Sequence, residues 1–296
     1  MGSARRRICI IVNPISGQGD AEIRAREVEN RLVEGGCEVR RIVTQRAGHA
    51  VELAREAAAI RTDIVLVCGG DGTVNETLEG LAGSGTALAQ MPLGTANVLG
   101  HELGLKAAPR RVTELVLRGR RRRLDLGRCG PRFFICMASV GFDAYVTQQM
   151  AELRKGAISY FSYVRPILKA FRDYRFEPLR VEVDGKPIDT PVYNIVVGNT
   201  RSYGAPFTMT PLARPDDGRL DVCAFAGCGK LWLALYMAAT SVPVHHRFAS
   251  VRYLTGRRVD VDAASPVPVQ FDGDFKTRTP VRFEVVPNAI TVLSNR

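Results

Sequence analysis

None of the seven cysteines (Cys9, Cys37, Cys68, Cys129, Cys136, Cys223 and Cys228) belongs to a C-x-x-C pair, and their number is odd. No disulfide framework is expected. They read as small core side chains in a reducing cytosol. Long apolar runs are missing as well. After the Arg5-Arg6-Arg7 cluster, the run Ile8 to Val12 is cut short by Asn13-Pro14, too soon for a secretory signal. The longest run elsewhere, Leu231 to Val244, contains Thr240, Ser241 and Pro243 and is too short to span a bilayer. The 28 glycines follow no three-residue period, which excludes collagen. No internal repeat and no low-complexity linker interrupts the chain. No helix-turn-helix or aromatic-basic pattern is present, so a nucleic-acid partner is not expected.

The chain does have enough hydrophobic residues, 46% of 296, for two domains with their own cores. A charged fraction of 24% is ordinary for a globular protein and excludes a wholly disordered chain. The formal net charge of +11 favours anionic partners such as nucleotide phosphates or an acidic membrane face.

The first third alternates strand and helix. Arg7 to Val12 is a continuous apolar run, as in a strand buried on both faces. Ala21 to Val33 has helical spacing and stops at Gly35-Gly36. Glu38 to Val43, Asp63 to Cys68 and Ala87 to Met91 read as further strands. His49 to Ile60 and Val74 to Leu81 read as helices. This βαβαβαβ order predicts a doubly wound, parallel α/β domain whose ligands bind beyond the carboxyl ends of the strands.

After Leu124 the pattern changes. Arg132–Val140, Leu179–Val183, Val192–Val197, Leu220–Phe225, Val251–Leu254, Val259–Val261, Val267–Phe271, Val281–Val286 and Ile290–Leu293 read as strands, with turns at Asp184-Gly185, Asp217-Gly218 and Pro287-Asn288. Helical segments are expected at about 151–173 and 229–240. The predicted organisation is an α/β nucleotide-binding domain over 1–127 and a β-rich, sandwich-like domain over 128–287. The last strand, about 288–296, is a candidate to return to the first domain.

Three loops at the predicted ligand edge carry chemistry. Asn13-Pro14-Ile15-Ser16-Gly17-Gln18-Gly19 follows the first strand, and its glycines let backbone approach a ligand. An ordinary polar turn explains it as well, and it is not a Walker A loop because no Gly-Lys-Ser/Thr follows. Gly69-Gly70-Asp71-Gly72-Thr73-Val74-Asn75-Glu76 follows the third strand. Packing alone does not account for three glycines around one acid. Its amides and the Thr73 hydroxyl suit phosphate oxygens, and Asp71 beside a polyphosphate calls for magnesium. The competing role for Asp71 is a helix cap. Met91-Pro92-Leu93-Gly94-Thr95-Ala96-Asn97 adds a third Gly-and-hydroxyl loop.

These three motifs, in this order and spacing, resemble the diacylglycerol kinase catalytic family, which includes bacterial lipid kinases and, more distantly, sphingosine and ceramide kinases. The resemblance covers nearly the whole chain. It implies a nucleotide domain followed by a lipid-binding domain, with the active site in the cleft between. It implies ATP contacts from Asn13, Pro14, Ser16 and Gly17, from Thr44, from Gly69, Gly70, Asp71, Gly72, Thr73, Val74 and Asn75, and from Gly94, Thr95 and Asn97. The segment Pro211 to Asp221 resembles a family loop holding a structural Mg2+ through one carboxylate and two carbonyls. By position these are Asp217 and the carbonyls of Arg214 and Arg219; a simple turn at Asp217-Gly218 is the competing account. Phe271-Asp272-Gly273-Asp274 resembles the segment carrying the general base, which maps to Asp274, where the family commonly has Glu. Asp272-Gly273 is also a hairpin turn signal.

Other features carry less. Gly141-Phe142-Asp143 resembles a family segment near the acceptor site. Ile158, Phe161, Val164, Leu168 and Phe171, with Tyr160 and Tyr163, form a stripe that suits either core or a lipid-chain wall. Arg120 to Arg123 suits either anionic lipid or solvent. His245-His246 has no acidic or cysteine companion, so no zinc site is expected.

The expected function is ATP-dependent phosphorylation of a lipid hydroxyl, of diacylglycerol, a sphingoid base or ceramide. Asp71 would organise Mg-ATP and Asp274 would act as base. The protein is expected in the cytoplasm, peripheral at the inner face of an anionic membrane, with homodimerisation left open. The alternatives are an NAD-kinase-like enzyme acting on a soluble metabolite and a catalytically dead nucleotide sensor.

Overall fold

A computed structural model describes residues 5–153, 164–204, 207–242 and 244–295. Contacts divide the chain into one unit of Met1–Leu124 with Asn288–Arg296 and a second of Asp125–Pro287.

In the first unit β1 (Arg7–Val12), α1 (Ala21–Glu34), β2 (Glu38–Val43), α2 (His49–Ala59), β3 (Ile64–Gly69), α3 (Asp71–Leu81) and β4 (Ala87–Pro92) alternate as the apolar periodicity predicts. The strands form a parallel sheet in the order β2-β1-β3-β4. Ile10, Ile11, Ile64, Leu66 and Leu88 are fully buried in it, which accounts for their unbroken apolar runs. Two helices follow, α4 (Val98–Glu102) and α5 (Pro109–Arg118). The helices pack as pairs, α1 with α5 and α2 with α3. α5 starts with proline at its first position, where no amide partner is lost.

The second unit holds β5 (Arg120–Cys129), which begins in the first unit, then β6 (Arg132–Phe134), β7 (Met137–Val140), α6 (Phe142–Leu153), α7 (Val164–Asp173), β8 (Leu179–Val183), β9 (Lys186–Pro187), β10 (Asn194–Gly198), β11 (Ser202–Gly204), β12 (Phe207–Thr208), β13 (Leu220–Phe225), α8 (Lys230–Thr240), β14 (Val251–Gly256), β15 (Arg258–Ala263), β16 (Pro268–Phe271), β17 (Asp274–Arg278) and β18 (Val281–Ser294). One sheet of six strands runs β14-β13-β10-β7-β16-β17. Antiparallel pairing of β8 with β15, and of β15 with Val281–Glu284 of β18, builds the opposing layer. Val181, Val259 and Phe283 of that layer share one core with Ile195, Val222, Val269 and Phe271 of the six-stranded sheet. This is sandwich packing.

Several sequence expectations need correction. Arg132–Val140 is two strands, broken at Ile135-Cys136. Val281–Val286 and Ile290–Leu293 are one strand, β18, in which Asn288 takes φ of 52° without turning the chain back. The final part of β18 pairs in parallel with β4, Thr291 opposite Ala87. The arginine run at 120–123 keeps its exposed reading, with Arg120, Arg121 and Arg123 exposed, but it also starts β5, with Arg121 donating to the Asp63 carbonyl at 3.2 Å. Of the helix expected at 151–173, Val164–Asp173 is helical, while α6 starts at Phe142. Ile158, Tyr160, Phe161 and Tyr163 lie outside the described residues.

Candidate active site

Strands β1, β2, β3 and β4 of the parallel sheet end at Val12, Val43, Gly69 and Pro92, so the loops after them share one edge. Backbone bonds join them. Gly17 N donates to Leu93 O at 3.0 Å, Leu93 N to Gly69 O at 3.1 Å, and Asn13 N to Cys68 O at 3.0 Å. The Asn13 amide adds a bond from Nδ2 to Thr73 Oγ1 at 3.0 Å. Thr73 is therefore buried and holds two loops together.

The glycines of this edge fall into two kinds. A Cβ on Gly94 would lie 2.5 Å from Gly70 Cα, and one on Gly70 would lie 2.9 Å from Gly94 Cα. These two loops touch backbone to backbone, and only glycine permits it. A Cβ on Gly72 would meet nothing within 4 Å, and Gly72 is exposed in the first turn of α3 with an ordinary helical backbone. Helical glycine without a steric or torsional reason costs stability relative to alanine. Close approach of a ligand to the amides at this helix start gives it a reason.

Asp71 lies in the same first turn, where the helix dipole favours a negative charge. Its Oδ1 accepts from Val98 N at 2.7 Å. The carboxylate thus does cap a helix, but it caps α4 rather than its own. Asn97, at φ 48°, closes the third loop: its Oδ1 accepts from Gly94 N at 2.7 Å and its Nδ2 donates to Gly94 O at 2.6 Å. Thr95 is exposed, Asn75, Pro14 and Ser16 are partly exposed, and the Val74 side chain is core, so a ligand reaches Val74 only through its backbone. Thr44 is tied to β1 through its amide on Val12 O at 2.8 Å. The loop after it is held by Glu76 of α3, which accepts from Gly48 N at 2.8 Å and Ala50 N at 3.2 Å. Glu76 closes the Gly69–Glu76 motif, but its partners 26 to 28 positions upstream have no local signature.

In the second unit, Asp272 and Gly273 both have positive φ (48° and 88°), forming the tight hairpin that Asp-Gly predicts between β16 and β17. Asp272 does more than turn the chain. Its carboxylate accepts from Ile135 N, Cys136 N and Met137 N, each at 2.9 Å. These amides are the break between β6 and β7. Gly273 N donates to Gln270 Oε1 at 2.7 Å, and Gln270 Nε2 reaches Ser139 Oγ at 3.0 Å and Asp143 Oδ2 at 3.2 Å. Tyr203 donates to Asp143 Oδ2 at 2.6 Å, and Ser139 to Asp143 Oδ1. Burial pushes the Asp143 carboxyl above the usual range, against the pull of these three donors. Asp274, just past the turn, pairs with Lys276 at 3.4 Å with both side chains partly exposed. Sequence reasoning assigned no role to Gln270 or Tyr203. Gln270 is fully buried within the apolar strand Val267–Phe271, a burial that only the fold shows.

The segment 211–221 forms the turn that its sequence allows: Gly218 has φ 71°, and Asp217 Oδ1 accepts from Arg219 N at 3.0 Å. The buried Asp125 clamps it, accepting from Gly218 N at 2.7 Å while its own amide donates to Pro215 O at 2.6 Å. Arg214, Asp217 and Arg219 are exposed, and the Asp217 carboxylate is an oxygen donor of the type that a hard cation takes.

Residues 7–129 match the family model described as diacylglycerol kinase catalytic domain, and residues 136–294 match the YegS C-terminal NAD kinase beta sandwich-like domain. A curated protein of Mycobacterium tuberculosis named diacylglycerol kinase is 31% identical over 98% of this chain and 96% of its own. One of the same name from Staphylococcus carnosus is 26% identical over 94% and 92%. A crystal structure of a diacylglycerol kinase from Bacillus anthracis superposes with TM-score 0.77 at 20% identity, covering 99% of this chain and 98% of that one, a likeness of fold.

Proposed function

This chain belongs to the diacylglycerol kinase catalytic domain family, and from that membership we propose that it transfers the γ-phosphoryl group of ATP to the free hydroxyl of diacylglycerol. The observation that carries the nucleotide half is Gly72, a helical glycine that neither packing nor torsion requires, in the first turn beside Asp71. The amides of this turn, with the Gly94–Asn97 loop and the Asn13–Gly17 loop, receive the phosphates. Magnesium, when bound, would neutralise phosphate charge, and Asp71 is the carboxylate that would hold it. A second ion of structural role suits Asp217 with the carbonyls of Arg214 and Arg219.

Asp274 takes the acceptor proton. As the lipid O–H bond breaks, its oxygen forms the new bond to phosphorus, the bond from phosphorus to the bridging oxygen of ATP breaks, and ADP leaves. A lipid alcohol is far too weak an acid to lose its proton beforehand, so the carboxylate must lie within about 3 Å. Gln270 fixes the turn that presents it. Among the described residues no helix is long and apolar enough to cross a membrane, and in this reading the enzyme meets its substrate peripherally, at the inner face.

The test is purified protein with labelled ATP and mixed micelles of diacylglycerol, sphingosine or ceramide, with NAD as a soluble acceptor. Labelled phosphatidic acid is expected. NAD outcompeting every lipid would overturn the lipid acceptor. Asp274→Asn should lower kcat by at least about a hundredfold with ATP affinity unchanged; near wild-type turnover would remove it as the base.

A further inference from the structure

We propose that the outward side of α8 is the surface by which this protein docks on an anionic lipid bilayer, an inference that rests on the lipid-kinase reading and adds the place of contact.

The helix is apolar on both sides. Its inner side is accounted for: Leu233 packs with Phe142, Ala170 and Tyr174, and Tyr236 lies 4.7 Å from the Phe225 ring with its hydroxyl accepting from Gly227 N at 3.0 Å. Its outer side runs Leu231, Ala234, Leu235, Ala238 and, just beyond the helix, Val242, all exposed. Leu231 is 84% exposed, Val242 62% and Leu235 45%, with Trp232 and Met237 each at 39%. A helix on a globular surface normally carries polar residues there. A contiguous exposed apolar face marks a contact.

Charge selects the occupant. From Val222 to Gly256 the sequence has no Asp or Glu, and it has Lys230, Arg247 and Arg252. Lys230 opens α8, and exposed Arg247 lies in the short helical turn after it. The neighbouring α7, whose Ala170 shares a cluster with Leu233, adds exposed Leu168 and Lys169. Asp173 at the end of α7 is already paired with Arg172 at 2.7 Å. A two-fold contact between copies would set this basic set against itself with no acid to meet it. An anionic bilayer takes both the apolar side chains and the positive charge.

Trp232 is the only tryptophan of the chain and borders this face, 39% exposed with its ring stacked on Tyr236, so its emission reports contact there. Full-length protein, without nucleotide, is titrated with phosphatidylcholine vesicles with and without phosphatidylglycerol. Anionic vesicles should shift Trp232 emission to the blue, and acyl-chain bromination should quench it. Binding should weaken at least about tenfold on neutral vesicles or in high salt. Leu231→Asp combined with Leu235→Asp should weaken it at least about tenfold, with phosphorylation of a short-chain diacylglycerol dissolved as monomer retained. Vesicle binding with Trp232 unquenched, or undiminished in the double variant, would overturn the surface. So would a dimer in sedimentation that the double variant dissolves, which would assign the face to a second copy. No ATP enters the vesicle titration, so a protein that docks through Trp232 yet phosphorylates no lipid would sink the kinase reading and leave the surface standing.

Discussion

At the loop edge of the first unit, backbone makes the local architecture: Gly70 meets Gly94, and Leu93 bridges Gly17 and Gly69 through main-chain bonds. Around the Asp272-Gly273 turn of the second unit, side chains make it. Asp272 binds three amides from residues 135–137, and Gln270 joins Gly273 to Ser139 and Asp143. A backbone-built site needs glycine at fixed offsets along the chain, so it leaves a motif. A side-chain network draws on residues more than a hundred positions apart and leaves almost none.

The comparison also says which losses should hurt stability and which should hurt chemistry. The largest expected effect is Asp272→Ala. It strips a charged acceptor from three buried amides, each costing about 1–3 kcal/mol when left unmet. Urea unfolding should show a loss of at least about 3 kcal/mol. A loss below about 1 kcal/mol would mean that the 135–137 break holds itself. Next comes Asp71→Asn. Asparagine keeps an oxygen for Val98 N, so the cap on α4 survives while the charge goes. Turnover should fall at least about a hundredfold at nearly unchanged melting temperature, the scale of one lost electrostatic contact in a preorganised site. If melting temperature fell and turnover held, Asp71 would be a cap and nothing more.

How far the sequence was legible follows the same division. β1, β2, β8 and β13 have the expected bounds because unbroken or alternating apolar runs fix a strand on their own. The start of β5 was obscured by four arginines, since solvent-facing strand ends tolerate any charge. The split of β6 from β7 was invisible because its cause, Asp272, lies over 130 residues away. β18 reads as two strands because Pro287-Asn288 is a turn signal, yet the chain passes through Asn288 without reversing. Of the candidate site, the Gly-rich loops and the Asp-Gly turn were legible as local structure. Asp125, Gln270 and Tyr203 were not, since each works through contacts that only the fold creates.

Two alanine substitutions in the same glycine loops sharpen the contrast within the first unit. Gly94→Ala forces a Cβ against Gly70 Cα and should cost about 1–3 kcal/mol of stability. Gly72→Ala meets empty space in a helix, and should raise stability by about 0.4–1 kcal/mol. If the space at Gly72 belongs to ATP phosphates, the same variant should bind ATP at least about tenfold more weakly, by calorimetry. A stabilised Gly72→Ala protein with unaltered ATP affinity would place the phosphates elsewhere.

The smallest effect tests the second unit by pH. Burial raises the Asp143 carboxyl, so the folded state holds its proton more tightly than the unfolded chain does. Stability from this group is therefore greatest below the unfolded value, about 3.9. It falls as pH rises towards the folded value and stays reduced above it. Asp143→Asn cannot titrate. Variant stability minus wild-type stability, from urea unfolding at a series of pH values, should rise from about pH 4 upward and then level off. Other carboxylates, such as Asp260 held low by Arg258 and Arg282, shift the absolute curves but cancel in the difference. A flat difference would mean that Ser139, Tyr203 and Gln270 compensate the burial of Asp143 completely. The network at the turn would then hold a charged carboxylate at no cost, as well satisfied by donors as the backbone-built edge of the first unit.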